Sequence, residues 1–260
     1  MVSAKSLILF GSINALVWSI SYAQYAFLSA LDYHVIATLF TVYLKAGLLL
    51  QVLERVTAHR PRIFPANQPG PPFHWPLFLR TYGIETVSYL MAIALARDQE
   101  PLWIDLLLFI PTSFAYELVF DLGHYATHRL LHTVTFLYRH IHKSHHENNN
   151  INAHTTYHHS PLDLVITNLL PIVLASTLVP VTPFTLTAIF WHKTALEISG
   201  HIGKGTTGSF LQCIYLPEAL GISLYARDHA LHHLHPTVNF SKRFALWDRV
   251  FGTKDQTPQS

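Results

Sequence analysis

The chain has 260 residues, of which 50% are hydrophobic and 12% charged; its mean hydropathy is +0.26 and its net charge +2. A charged fraction about half that of soluble domains excludes an ordinary soluble protein, and a small net charge without a basic stripe excludes a nucleic-acid binder. The single cysteine, Cys213, excludes an internal disulfide framework.

Leu7 to Leu31 and Tyr33 to Leu53 are apolar runs, the second interrupted by Lys45. Each is long enough to cross a bilayer core as a helix, and Asp32 between them marks a hairpin. Lys5 before an apolar stretch also fits a signal peptide, but the run extends past a signal-peptide core. Positions 54–72 are Pro-rich and carry Arg55, Arg60 and Arg62, a loop whose arginines favour the cytosolic side. Pro76 to Ala96 and Leu102 to Phe120 are further apolar runs, weakened as lipid-facing spans by Arg80, Glu85, Asp105 and Glu117. Arg80 and Glu85 read as a pair inside a helix bundle. Leu164 to Val181 and Pro183 to Ser199 form a third apolar pair, with Thr182 as N-cap ahead of Pro183.

Four or six crossings place the 54–72 loop, the 121–160 region and the C-terminal part on one face. That face carries most of the Lys and Arg, which makes it cytosolic. The expected fold class is all-α: an integral membrane helical bundle of four to six membrane helices in hairpins, under a histidine-rich cap.

Histidine is the unusual residue. There are 19, and all but His34, His59 and His74 lie between His124 and His235. In "DLGHYATHRLLH", His124 and His128 are four apart and share a helix face, with Asp121 on the same side. "HKSHHE" (His142, His145, His146) and "HALHH" (His229, His232, His233) repeat the pattern H-x-x-H-H, a tight triangle on a helix. His201 stands four residues after Glu197. Nine imidazoles exceed the capacity of one metal but suit two with positions open for oxygen, and imidazole alone does not select among iron, zinc, copper and nickel. Asp121, Glu197 and Asp228 are expected to orient rings as acceptors. His34, His59 and His74 read as packing or surface residues. His132, His140, His192 and His235 read as capping or supporting residues. Of His154, His158 and His159, His159 is the preferred further ligand.

These segments, together with "ISGHIG" and the closing "NFSKRFALWDRVFGT", resemble the fatty acid hydroxylase superfamily over about Asp121 to Thr253. That group includes sterol desaturases, sterol methyl oxidases and sphingolipid hydroxylases. The resemblance implies a membrane enzyme of the endoplasmic reticulum, with the cap facing the cytosol and two iron ions (or zinc in a purified form) as cofactor. Its motifs map onto His124 and His128, onto His142, His145 and His146, onto His201, and onto His229, His232 and His233. A "HP-x-E" element of the family reads "YHHSPLD" here, which leaves His158 and His159 open. The implied activity is O2-dependent hydroxylation or desaturation of a fatty acyl chain, sterol or sphingoid base. The fused haem signature "HPGG" is not found in this sequence, so electrons are expected from a separate small haem carrier and an NAD(P)H-dependent reductase. The expected organisation is membrane hairpins and Pro-rich loop over 1–100, a catalytic domain over 101–255 and a polar tail over 256–260. The competing class is a non-catalytic metal-binding or transport protein. It predicts ligands strung along a membrane path rather than gathered on one face.

Overall fold

The computed structural model describes residues 4–63, 70–147, 150–205 and 208–256. Positions 64–69 of the Pro-rich loop and 257–260 of the polar tail lie outside the described residues. Among the described residues the chain is helical, with two isolated bridge pairings and no strand.

Helices α1 (Ala4–Ala30) and α2 (Val35–Val56) form the expected hairpin. Asp32 and Tyr33 turn the chain at φ 48° and 51°, a left-handed conformation that Asp tolerates better than most residues. After α3 (Trp75–Ala94) comes α4 (Leu102–Thr133). Then α5 (Thr135–Leu137), a π-helical turn (Tyr138–His142) and α6 (Lys143–His146) follow in close succession. A 3₁₀ turn (Ala153–Tyr157) leads to α7 (Pro161–Leu164), a second π turn (Val165–Leu169) and α8 (Leu170–Leu178). The chain ends with α9 (Pro183–His201), α10 (Tyr215–Ala219), α11 (Ala226–Leu234) and α12 (Leu246–Val250). Thr182 caps α9 as the sequence predicts, its Oγ1 accepting from the Thr185 N–H at 3.2 Å.

Among the described residues, four segments are long and apolar enough to cross a membrane: Ser6–Ala30, Val35–Val56, Leu102–Thr133 and Pro161–Leu178. The chain is a multi-pass membrane protein on that count. The apolar run that becomes α9 is buried on nearly every side, against α1, α2 and α11. Its hydrophobicity answers to protein rather than to lipid. Tyr89, Phe109, Tyr116, Phe120, Leu186 and Phe190 form the main core around it.

The length of α4 positions the site. Its 32 residues extend about 48 Å at 1.5 Å per residue, whereas the hydrocarbon core is about 30 Å thick. The sequence-predicted run stops at Phe120, where hydropathy falls. The helix continues through Asp121, His124, His128 and His132, beyond the end of the apolar run.

Several charges inside the bundle are paired, while buried Lys45 donates to the Phe190 carbonyl. Lys193 donates to Glu85 at 2.8 Å, Asn168 donates to the same carboxylate at 3.0 Å, and Lys242 donates to Glu197 at 2.8 Å. The pairing of Arg80 with Glu85 expected from the sequence is not formed. Arg80 donates to the His159 carbonyl, and Glu85 is taken by Lys193, a buried lysine on the facing helix α9.

Candidate metal centre

Two groups of imidazoles converge on the cap. His128, His132, His142, His146 and His232 form one, and His145, His201, His229 and His233 the other; within each group the candidate ligand atoms all lie within 4.8 Å of one another. The groups share a wall: the His146 and His233 ring centroids are 4.7 Å apart, those of His145 and His233 4.6 Å.

Each H-x-x-H-H triangle divides between the groups. On α6 and the π turn before it, His142 and His146 face the first group and His145 the second. On α11, His232 joins the first while His229 and His233 join the second. Residues i and i+4 share a helix face while i+3 sits to one side, so one triangle feeds two sites.

Hydrogen bonds at Nδ1 assign the tautomers. His128 Nδ1–H donates to the Phe240 carbonyl at 2.8 Å, His232 to Val238 at 2.7 Å, and His201 to Glu197 at 2.8 Å. His142 Nδ1–H donates to Asp163 Oδ1 at 3.0 Å. In neutral rings this leaves Nε2 with a bare lone pair. The Nε2 atoms of both groups lie close together: His128 and His142 at 3.1 Å, His142 and His146 at 3.1 Å, His201 and His229 at 2.9 Å, His229 and His233 at 3.2 Å. Buried His132 Nε2 and His232 Nε2 have no hydrogen-bond partner. Two nitrogens this close need a proton or a cation between them. Metal–nitrogen bonds of about 2.0–2.1 Å at right angles put adjacent nitrogens about 3.0 Å apart, so the donor sets fit transition-metal ions. Burial and neighbouring imidazoles hold His145, His229 and His233 well below the ordinary histidine pKa. Burial brings His232 to about 3. Neutral imidazole is the form that binds metal.

His124 and His159 stand at the edge of these groups. His124 Nδ1–H donates to the Thr167 carbonyl in the second π turn at 2.7 Å. His159 Nδ1–H donates to Asp163 Oδ2 at 2.8 Å, and its ring stacks on His145 at 3.9 Å. Both line a small cavity that touches residues of each group. The pair on α4 that enters the first group is His128 with His132, whereas the sequence pointed to His124 with His128. His124, His128 and His132 form one stripe at fourfold spacing, and spacing alone selects no pair from three. Of the other histidines, His140 is exposed with Nδ1 on the Phe136 carbonyl, and His192 is buried within α9.

The carboxylates differ from expectation. None of the Asp121, Glu197 and Asp228 side chains contacts an imidazole. Asp121 accepts the backbone N–H groups of Lys242, Arg243 and Phe244 at 2.7, 2.8 and 3.0 Å. Glu197 pairs with lysines, and only its backbone carbonyl reaches His201. Asp228 accepts from the Tyr225 N–H at the start of α11 and from Lys254. The carboxylate that holds rings is Asp163, four residues after His159. Its signal in the sequence was that spacing.

The segment "NFSKRFALWDRVFGT" packs beside the site. Asp121 pins residues 242–244, and Asp248 accepts from the Phe240 and Ser241 N–H groups at 2.8 and 3.0 Å. Held by two aspartates, this loop presents the Phe240 carbonyl to His128 and the Val238 carbonyl to His232. After His201 the chain turns at Gly203, φ 70°, where a Cβ would lie 2.5 Å from the Ile151 carbonyl; only glycine fits.

The sequence model of the fatty acid hydroxylase family matches residues 113–253. The chain is 28% identical over 197 residues to a fatty acid hydroxylase of a Lecanicillium species, covering 69% of this chain and 52% of the relative. It is 28% identical over 142 residues to a very-long-chain aldehyde decarbonylase of Oryza sativa subsp. indica (52% and 51%). Against the cholesterol 25-hydroxylase of Homo sapiens it is 29% identical over 136 residues (52% and 48%). The chain thus spans about half the length of the curated relatives it matches. No solved structure gives a significant match.

Proposed function

The chain belongs to the fatty acid hydroxylase family, and on that basis we propose that it is a membrane-bound di-iron oxygenase acting on a C–H bond of a lipid. The observation that carries this reading is the pair of buried imidazole groups whose Nε2 atoms converge. His128, His132, His142, His146 and His232 hold one ion. His145, His201, His229 and His233 hold the other, with His159 beside them and His124 on the wall of the shared cavity.

Two bound irons supply the reduction of dioxygen and the removal of hydrogen from an unactivated C–H bond. The chain's own residues do the rest. Asp163 and the carbonyls of Phe240, Val238 and Glu197 fix the rings in the tautomer that points Nε2 inward. α4 carries its histidines directly above the apolar layer, so a lipid reaches the cavity without crossing bulk water. The packed cap excludes water from the reacting carbon. For hydroxylation, one oxygen atom enters the C–H bond; the other leaves as water with two electrons and two protons. The electrons come from a separate haem carrier and its NAD(P)H-dependent reductase. The cap faces the cytosol, in the endoplasmic reticulum membrane, with residues 1–100 serving as membrane anchor.

Lipid profiling of cells with and without the chain, under oxygen, tests the reading. A lipid gaining one oxygen, or losing two hydrogens, is expected. No lipid change in cells that contain the metal-loaded chain would favour the metal-binding alternative.

A further inference from the structure

The short helices α10 and α12 end in apolar side chains that the rest of the chain leaves uncovered: Leu220 is 54% exposed, Val250 60% and Phe251 48%. The two helices adjoin. The Ala245 N–H donates to the Ile222 carbonyl at 2.8 Å, and a Cβ on Gly221 would lie 3.8 Å from Arg249 Nη1. The three side chains therefore belong to one edge of the cap, with exposed Arg249 among them. Two landmarks give the height of that edge. Tyr215 of α10 rests against Phe10 of α1, ring centroids 5.7 Å apart. Phe10 lies within the apolar span Ser6–Ala30, and Leu7, Ile8 and Leu9 before it are exposed, so the lipid-facing surface of α1 reaches the level of α10. Phe251 stacks on Tyr125 of α4 at 5.1 Å. Tyr125 stands five residues past Phe120, where the apolar run ends, a rise of about 7.5 Å. The head-group layer on each side of the hydrocarbon is about 5–8 Å deep. By this measure α12 lies at head-group depth and α10 at the border of the hydrocarbon.

We propose that this edge of the cap is seated in the bilayer interface, with Leu220, Val250 and Phe251 entering the boundary of the acyl chains and Arg249 meeting lipid phosphates. The occupant is lipid, because the edge continues the lipid-facing surface of α1 through the Phe10–Tyr215 contact. Apolar side chains flanked by a cation suit that boundary. Arg129 adds a second cation beside Phe251, donating to the Tyr125 hydroxyl at 2.9 Å. Glu218, the exposed carboxylate of α10, accepts from the Tyr225 hydroxyl at 3.3 Å. The seating bears on both histidine groups. α11, which carries His229, His232 and His233, follows α10 after one short loop. Asp248 of α12 holds the Phe240 and Ser241 N–H groups of the loop that orients His128. The bilayer surface thus sets the height of the histidine cap. The proposal needs only the membrane-spanning helices and stands or falls apart from the oxygenase reading.

The test uses the full-length chain in nanodiscs of phosphatidylcholine with brominated acyl chains, against nanodiscs of the unbrominated lipid. In a Cys213→Ser background, which removes the single native cysteine, a bimane fluorophore is attached at Leu220→Cys or Val250→Cys. Ile8→Cys on α1 serves as the lipid-facing control. Arg139→Cys serves as the water-facing control: Arg139 is exposed and follows Tyr138, whose ring lies 5.4 Å from that of His132, twelve residues past Phe120. Bromine quenching at Leu220→Cys and at Val250→Cys is expected to reach at least about half that at Ile8→Cys, with Arg139→Cys unquenched. Ala219→Cys and Phe251→Cys, exposed positions on the same two helices, replace a variant that does not fold. Labels on both helices as insensitive as Arg139→Cys would put the edge in water, where a protein partner is the occupant, and would overturn the proposal. Quenching on one helix alone overturns the joint surface.

Discussion

Asp163 and His142 are joined by a 3.0 Å hydrogen bond between two fully buried side chains, carboxylate Oδ1 to imidazole Nδ1. Asp163 spends its other oxygen on His159. The ring of His142 is therefore set by a residue 21 positions away that touches no candidate ion position. Asp163→Ala is expected to weaken metal binding about 10–100-fold, the usual cost of removing such a supporting carboxylate. Competition against a chelator of known affinity checks this, and unchanged affinity would show that the ring holds its orientation without Asp163.

His132 and His124 lie on the same stripe of α4 but in different surroundings. His132→Ala should reduce metal content by about one ion per chain, because it removes a donor from the first group. His124→Ala should leave metal content unchanged. Elemental analysis of the two variants side by side decides between them, and the reverse pattern would restore the pairing expected from spacing.

Asp121 should behave as a structural residue. Asp121→Ala strands three N–H groups, two of them buried, at about 1–3 kcal/mol for each buried one, so a loss of ~2 kcal/mol or more is expected. The thermal midpoint in nanodiscs should fall, and His128 and His232 should lose the loop that holds their Nδ1 atoms. A midpoint within a degree of the parent would contradict the role given to the aspartate.

Metal removal should destabilise the cap. Each ion present at about 1,000 times its dissociation constant contributes about 4 kcal/mol, about 8 kcal/mol for two, which for a chain of this size shifts the midpoint on the order of 20 °C. Thermal unfolding with and without chelator measures it. A midpoint indifferent to chelation would mean that the facing nitrogens are not held together by cations.

The metal-free chain should also respond to acid in a definite direction. His232 titrates near 3 when folded, against an ordinary value of 6.5, so the unfolded chain binds the extra proton first. Its contribution is complete above pH ~6.5 and is lost as pH falls towards ~3. The midpoint of the metal-free chain should drop between pH 7 and pH 5. A midpoint that rises over that interval would contradict the neutral, buried state of these rings.

Much of this was legible in the sequence, for identifiable reasons. Apolar runs of fixed length mark α1, α2 and α4, because lipid imposes one length on all of them. The triangles at His142–His146 and His229–His233 stand out because helical geometry makes their spacing meaningful on its own. The rest depends on contacts between distant segments. His132 was passed over because a stripe of three equally spaced histidines carries no mark of which two face inward. Asp163 was missed because its link to His142 crosses 21 residues. Lys193 was hidden within an apolar run, where only the packed bundle brings it to Glu85. Asp121, Glu197 and Asp228 sit near histidines in sequence, yet backbone amides and lysines claimed them instead.

The most direct test is the transition-metal content of the purified full-length chain reconstituted in nanodiscs. About two ions per chain are expected, falling to about one in His142→Ala or His229→Ala and to about none when both are changed. A parent chain that oxidises lipid while holding less than one ion, or a double variant that keeps two, would contradict the account.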